Sequence, residues 1–194
     1  LYLESQWRQQ IPTDTDLHIG DKAAMDLMPY QLEPAQISLC RPRQRILIAD
    51  AVGLGKTLEA GILMSELIAR GKGRRILVVT VKSMMTQFQK EMWNRFTIPL
   101  VRLDSKKIHD IRAKLPSNYN PFCYYDKTIV SIDTLKRDIE YRTHLEKAYW
   151  DIIVIDEAQN VAERGKHQAQ RSRLAKLLAD RSDAIIMLSA TPHD

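Results

Sequence analysis

Metal-binding and disulfide chemistry have little to work with in this chain. Its 194 residues include two cysteines and five histidines. Cys40 and Cys123 have no metal-ligand spacing, and the scattered histidines form no HxxxH-like set. A transition-metal site therefore has no support, and a reducing, cytoplasmic setting fits better than a disulfide framework. No apolar run approaches a membrane span, and the basic N-terminus has no apolar signal core. Repeats and low-complexity tracts are also absent. What remains is a composition ordinary for one sizeable α/β domain, with 44% apolar residues, 27% charged residues and a net charge of +5.

The most informative stretch is Asp50-Ala-Val-Gly-Leu-Gly-Lys-Thr57. It follows the apolar run Ile46–Ala49 and opens into a helical pattern from Leu58 to Ile68. A strand that feeds a glycine-bearing turn and then a helix is how phosphate-binding loops are built. Turn N–H groups and the helix N-terminus both face the anion. Gly53, Leu54 and Gly55 would supply the cradle, Lys56 would reach the β/γ oxygens, and the Thr57 hydroxyl could take a Mg²⁺ position. Asp50 stands where the general pattern has glycine. A glycine turn capping a core helix would look similar.

A second motif lies far downstream. Asp151–Ile155 is a short β-branched run, followed by Asp156-Glu157-Ala158-Gln159. In an open α/β sheet, ligands collect outside the carboxyl ends of the strands. That rule brings Asp156 and Glu157 towards Lys56, with Asp156 holding Mg²⁺ and Glu157 acting as general base for an attacking water. Two acids after a strand can also be a helix N-cap and its first-turn neighbour.

Strand patterns at Arg45–Ala49, Arg75–Val81, Leu100–Leu103, Thr128–Ile132, Asp151–Ile155 and Ala184–Leu188 alternate with helical patterns. The helices are expected at Pro29–Leu39, Lys56–Arg70, Ser83–Phe96, Ser105–Leu115, Asp133–Glu140 and Gln168–Ala179. Continuous apolar strands separated by helices imply a mostly parallel sheet with helices on both faces. Residues 1–25 are polar and weakly patterned, and read as an extension or linker ahead of one domain over 26–194. Positive charge clusters at Arg41, Arg43 and Arg45, at Arg70, Lys72, Arg74 and Arg75, and from Arg164 to Lys176. Such clusters permit nucleic-acid binding and are equally ordinary as solvated surface.

These motifs together resemble the first RecA-like P-loop lobe of Swi2/Snf2 ATPases in helicase superfamily 2. Leu27–Glu33 is similar to that family's adenine-side motif, which implies that Gln31 reads the adenine edge with Tyr30 packed nearby. Ala49–Gly61 is similar to the Snf2 form of motif I, in which Asp50 is usual; Ala51 replaces an acid. Arg75–Ser83 with Gln87–Glu91 resembles motif Ia, with Val81 in place of a proline and Phe88 in place of a tryptophan. Ile129–Leu135 resembles the next DNA-facing motif. By this match Lys82, Ser83 and Thr134 are DNA-phosphate contacts, although Ser83 and Asp133 can equally be helix caps. Leu188–His193 resembles motif III, whose Ser189 and Thr191 would couple to the turn ending at Gln159, where most relatives have histidine. The wording of motif I, of Asn120-Pro-Phe122 and of Glu146–Glu157 is nearest to the bacterial RNA-polymerase-associated and phage-defence-island subgroup.

The resemblance implies ATP and Mg²⁺ as ligands and double-stranded DNA as the track. It also implies a second RecA-like lobe in cis carrying arginine fingers, with RNA polymerase or another complex as a partner. The setting would be bacterial cytoplasm, with nucleoid association, and no membrane is involved. Two other readings are an RNA helicase lobe of the same superfamily and a non-enzymatic nucleotide-binding scaffold.

Overall fold

The structure is a computed structural model that describes residues 10–18, 28–49, 55–116, 118–137, 139–158 and 168–190. Among the described residues six strands form one sheet: β1 (Arg45–Ala49), β2 (Ile76–Thr80), β3 (Val101–Leu103), β4 (Lys127–Ser131), β5 (Trp150–Ile155) and β6 (Ser182–Ser189). Their order is β1-β6-β5-β2-β4-β3, and every pairing is parallel. Every strand therefore ends on one rim. The helices are α1 (Pro29–Leu39), α2 (Lys56–Ala69), α3 (Met85–Phe96), α4 (Ser105–Lys114), α5 (Ile132–Arg137), α6 (Ile139–Glu146) and α7 (Gln168–Asp180). A 3₁₀ turn spans Pro121–Cys123.

Alternate strand residues point to opposite faces, and the core divides accordingly. Ile76, Val78, Ile152, Val154, Ile186 and Leu188 face α1, α2 and α3, through residues such as Ala35, Leu63 and Phe88. Leu77, Val79, Ile153, Ile155 and Ile185 face the other helices, meeting Ile108, Leu145 and Leu178. Leu174 and Leu177 pack on that second cluster beside Leu178, as the apolar stripe of α7 predicts.

α2 is the central helix of the first layer. Every residue from Glu59 to Leu67 is buried. Beyond Ala69 the chain turns through Gly71 at φ 72°. The Lys72 N–H donates to the Leu67 carbonyl at 2.8 Å and the Gly71 N–H to that of Ile68 at 3.0 Å. This paired closure needs a left-handed residue, and glycine adopts that conformation without Cβ strain.

Some boundaries differ from the sequence expectation. The helix expected at Asp133–Glu140 is two helices that run on to Glu146. α3 starts at Met85 because Val81–Met84 forms its own turn, with the Met84 N–H on the Val81 carbonyl. β6 begins at Ser182 rather than Ala184. Residues 10–18 do not stand off the domain: Leu17 packs against the first core cluster. Among the described residues, no helix is long and apolar enough to cross a membrane.

Candidate functional site

The amino end of α2 is built on Gly55, whose φ of 99° is left-handed. Its carbonyl accepts the N–H groups of Leu58 at 2.7 Å and Glu59 at 3.1 Å, starting the helix. A Cβ at Gly55 would stand 2.8 Å from the Gln31 amide nitrogen, so a side chain there is opposed by both the backbone conformation and the close approach. Lys56 and Thr57 form the first turn, where helix N–H groups gather partial positive charge. Gln31 is buried, and its side-chain oxygen accepts the Met28 N–H at 3.1 Å. Its amide therefore starts α1 on one side and abuts the loop glycine on the other.

The acidic pair follows β5. The Asp156 N–H donates to the Val79 carbonyl at 2.8 Å, so β2 fixes where the strand ends. The Thr80 hydroxyl donates to one Asp156 oxygen at 2.8 Å, and the Glu157 N–H to the other at 3.0 Å. Burial pushes the Asp156 carboxyl above its ordinary range. The Thr80 bond opposes that shift, the Glu157 charge adds to it, and the Glu157 N–H and Lys56 pull it back. Glu157 itself lies at φ 55°, a left-handed setting that costs a non-glycine residue about 1–2 kcal/mol. One residue later, the Ala158 N–H donates to the Leu188 carbonyl at 2.7 Å and ties the turn to the end of β6.

Lys56, Thr57, Asp156 and Glu157 line one cavity of about 410 Å³, together with Gly55, Leu58 and a stripe of α3. The stripe is Gln87, Phe88, Glu91 and Arg95, with Met84 at the helix cap beside it. The Gln87 amide donates to Glu91 at 3.1 Å, holding that carboxylate along the cavity wall. Neither the glycine-loop motif nor the acidic motif of the sequence marks Thr80, Gln87, Glu91 or Arg95 for the site. The signals were a hydroxyl closing an otherwise apolar strand, and polar residues at helical spacing after it. Asp50, Gly53, Leu54, Gln159 and Thr191 lie outside the described residues.

Lys82 and Ser83 are exposed after β2. Thr134 is half-buried after β4, which neighbours β2, so these candidates share a rim with the acidic pair. The cap position of α3 is held by Met84 without a side-chain bond, not by Ser83. Ser131 caps α5, accepting the Thr134 N–H at 3.1 Å and pairing with its hydroxyl at 2.9 Å. Ser189 ends β6, buried and in register with Ala49. The basic clusters before β1 and β2 lie at the opposite rim, and several members serve the fold. Arg45 donates to the carbonyls of Ala179 and Ser182, and Arg75 to that of Phe122 while lying 5.8 Å from the Trp150 ring centre.

A parallel sheet with a glycine-cradled helix start and a strand-end acidic pair on one rim defines a P-loop lobe of the helicase type. The family model for DEAD/DEAH box helicases matches residues 29–194, and the chain belongs to that family. Within that family it is similar to Swi2/Snf2 ATPase cores. The RNA polymerase-associated protein RapA of Sodalis glossinidius (strain morsitans) is 34% identical over 86% of this chain. RapA of Proteus mirabilis (strain HI4320) is 32% identical over the same share. The chain spans 17% of the length of these relatives. Among solved structures, the Sulfolobus solfataricus SWI2/SNF2 ATPase core in complex with dsDNA superposes with a TM-score of 0.68 at 26% identity. That match covers 91% of this chain and 34% of the other. The same core domain, solved as a separate structure, has a TM-score of 0.69 at 23% identity and agrees in fold.

Proposed function

We propose that this chain is the ATP-binding lobe of a Snf2-type, ATP-dependent double-stranded DNA translocase. The observation that carries the reading is the single cavity shared by Lys56 and Thr57 with Asp156 and Glu157, four residues from two distant segments. The donor set suits a metal-chelated triphosphate. A buried carboxylate disfavoured by desolvation is stabilised by a hard divalent cation. Mg²⁺ is usually held by one or two carboxylates plus phosphate and water, and the described residues contain no group of three or more acidic, histidine or cysteine ligands.

In this reading Lys56 and the amino end of α2 receive the β/γ-phosphates. Asp156 and the Thr57 hydroxyl would hold Mg²⁺, which would supply charge neutralisation at the phosphates. Glu157 accepts a proton from the water that attacks the γ-phosphorus, the β–γ bond breaks, and ADP leaves. Thr80 keeps Asp156 facing the cavity. Ser189 and the Ala158–Leu188 bond, with Gln159 and Thr191, carry the phosphate state to the end of β6. Lys82, Ser83 and Thr134 grip one DNA strand at its phosphates without reading bases. A second lobe in cis supplies arginine fingers, and RNA polymerase, the partner in the relatives' name, is the protein complex to test. A bacterial cytoplasmic, nucleoid-associated setting follows from that assignment.

The test uses this chain for binding and the full-length protein for turnover. Lys56→Ala removes binding of a fluorescent ATP analogue. Glu157→Gln keeps binding and removes hydrolysis; wild-type turnover in that variant rules out Glu157 as the base. Duplex DNA stimulates hydrolysis and single-stranded RNA does not. The opposite preference assigns the lobe to an RNA helicase, and ATP binding without hydrolysis by the full-length protein leaves the non-enzymatic nucleotide-binding scaffold.

A further inference from the structure

We infer that Arg70 and Glu66 are positioning residues for the nucleotide site: they clamp residues 10–18 across the far end of α2, and through this strap fix the setting of Gln31 against Gly55. The inference rests on the nucleotide reading above for its functional consequence, and on the fold alone for the linkage.

Arg70 caps the carboxyl end of α2. Its guanidinium donates to the carbonyls of Pro12 at 3.2 Å, Asp14 at 2.6 Å and Asp16 at 2.7 Å. It also reaches the Glu66 carboxylate at 3.4 Å. The other Glu66 oxygen accepts the His18 N–H at 2.7 Å. The two side chains are 7% and 0% exposed. A charge pair taken out of water at this depth is costly unless its donors and acceptors are used. Here the two terminal guanidinium nitrogens and the Glu66 oxygens are used, mostly on the backbone of one short segment, while Arg70 Nε has no partner among the described residues. The planar fork of arginine suits several carbonyls in different directions, which a lysine ammonium serves less well. The strap is stiffened from within, by the Asp16 N–H on Asp14 at 3.1 Å and by the Asp14–His18 pair at 2.6 Å.

The strap's other side meets α1. Thr15, Asp16 and Leu17 line a cavity with Leu32, Gln36 and Cys40. Leu17 and Leu32 pack against the same core cluster. Leu32 is the immediate neighbour of Gln31, whose side-chain oxygen is held by the Met28 N–H where the chain enters α1. Segment and helix thus meet α2 along the α1–α2 packing and at its two ends, about 20 Å apart along a helix of this length. One end carries the Arg70–Glu66 clamp, and at the other the Gln31 amide lies close enough to Gly55 to leave no room for a Cβ. Releasing the first lets α1 shift and moves the amide that faces the loop.

The experiment measures amide hydrogen exchange and ATP affinity in this chain for Arg70→Ala, Arg70→Lys and Glu66→Gln. A glutamine at 66 still accepts the His18 N–H, so that variant isolates the charge pair. Exchange should quicken at residues 10–18 and also at 28–32, while β4 stays protected. ATP, competed against a fluorescent analogue, should bind at least about fivefold more weakly to Arg70→Ala, the lower end of typical coupling between sites. Arg70→Lys should fall between Arg70→Ala and wild type. Exchange rising at 10–18 alone overturns the linkage, and so does wild-type ATP affinity in a variant whose strap has been released. If Arg70→Ala does not fold, Arg70→Lys and Glu66→Gln give the same readouts. If wild-type protein binds no ATP, the nucleotide reading fails, and exchange at 28–32 still decides the linkage.

Discussion

Gly61 sits where α2 crosses α3. A Cβ there would stand 2.1 Å from the Phe96 ring. Alanine is the better helix former by about 1 kcal/mol, but overpacking a filled contact costs about 1–3 kcal/mol. The clash outweighs the propensity, and Gly61→Ala should destabilise the chain in urea titration. In a Phe96→Leu background the same change should be neutral or stabilising. Tyr149 gives a second residue-scale test. Its hydroxyl donates to Asp183 at 2.7 Å, and that bond, then weak burial and the Asp183 charge, raise the phenol above its ordinary value of 10.0, with Arg43 opposing. The folded pKa is the higher one, so the bond's contribution is complete below the unfolded pKa and is lost as pH rises through the folded one. Spectrophotometric titration should find Tyr149 titrating late, and Asp183→Asn should return it to the ordinary range. Neither feature is legible in the sequence, because each depends on which residues of distant elements come to face one another.

At the scale of elements, patterning reads well where burial is two-sided and poorly where caps decide. All six strands were expected from apolar runs and α2 from its helical pattern, although the burial of every residue from Glu59 to Leu67 was not: a stretch covered all round has no polar face to announce its setting. The break between α5 and α6 was missed because Asp133–Glu140 has helical composition throughout. The start of α3 was placed on Ser83 by its hydroxyl, whereas the Val81–Met84 turn delays the helix by two residues. α4 shows the cap signal working. Asp104 is extended at φ −101° and accepts the Lys107 N–H at 2.8 Å. Asp104→Ala should cost about 1 kcal/mol, measured by denaturant midpoint, with the loss local to α4 in hydrogen exchange.

For the molecule as a whole, the candidate site was legible because a parallel sheet turns sequence order into spatial order: whatever follows a strand arrives at one rim. Lys56 and the Asp156–Glu157 pair could be placed together on that rule. Thr80, Gln87, Glu91 and Arg95 could not, since their part depends on strand register and on how α3 lies across the rim. The cavity contains cations from this lobe, Lys56 and Arg95, but the reading assigns arginine fingers to a second lobe. Such residues are worth roughly 10³–10⁵-fold in phosphoryl transfer. This chain alone should therefore bind ATP weakly and turn it over very slowly in a phosphate-release assay. Robust DNA-stimulated turnover by these 194 residues would place a sufficient catalytic set within the one lobe.

The one-way sheet also divides the surface into two territories with different tolerances. Cys40, exposed just before β1, and Cys123, just before β4, both belong to the amino-end side. A dye coupled to the Cys40 thiol would sit far from the Lys56 ammonium yet beside Leu17. It could signal movement of the chain's leading segment while leaving the reaction chamber chemically untouched.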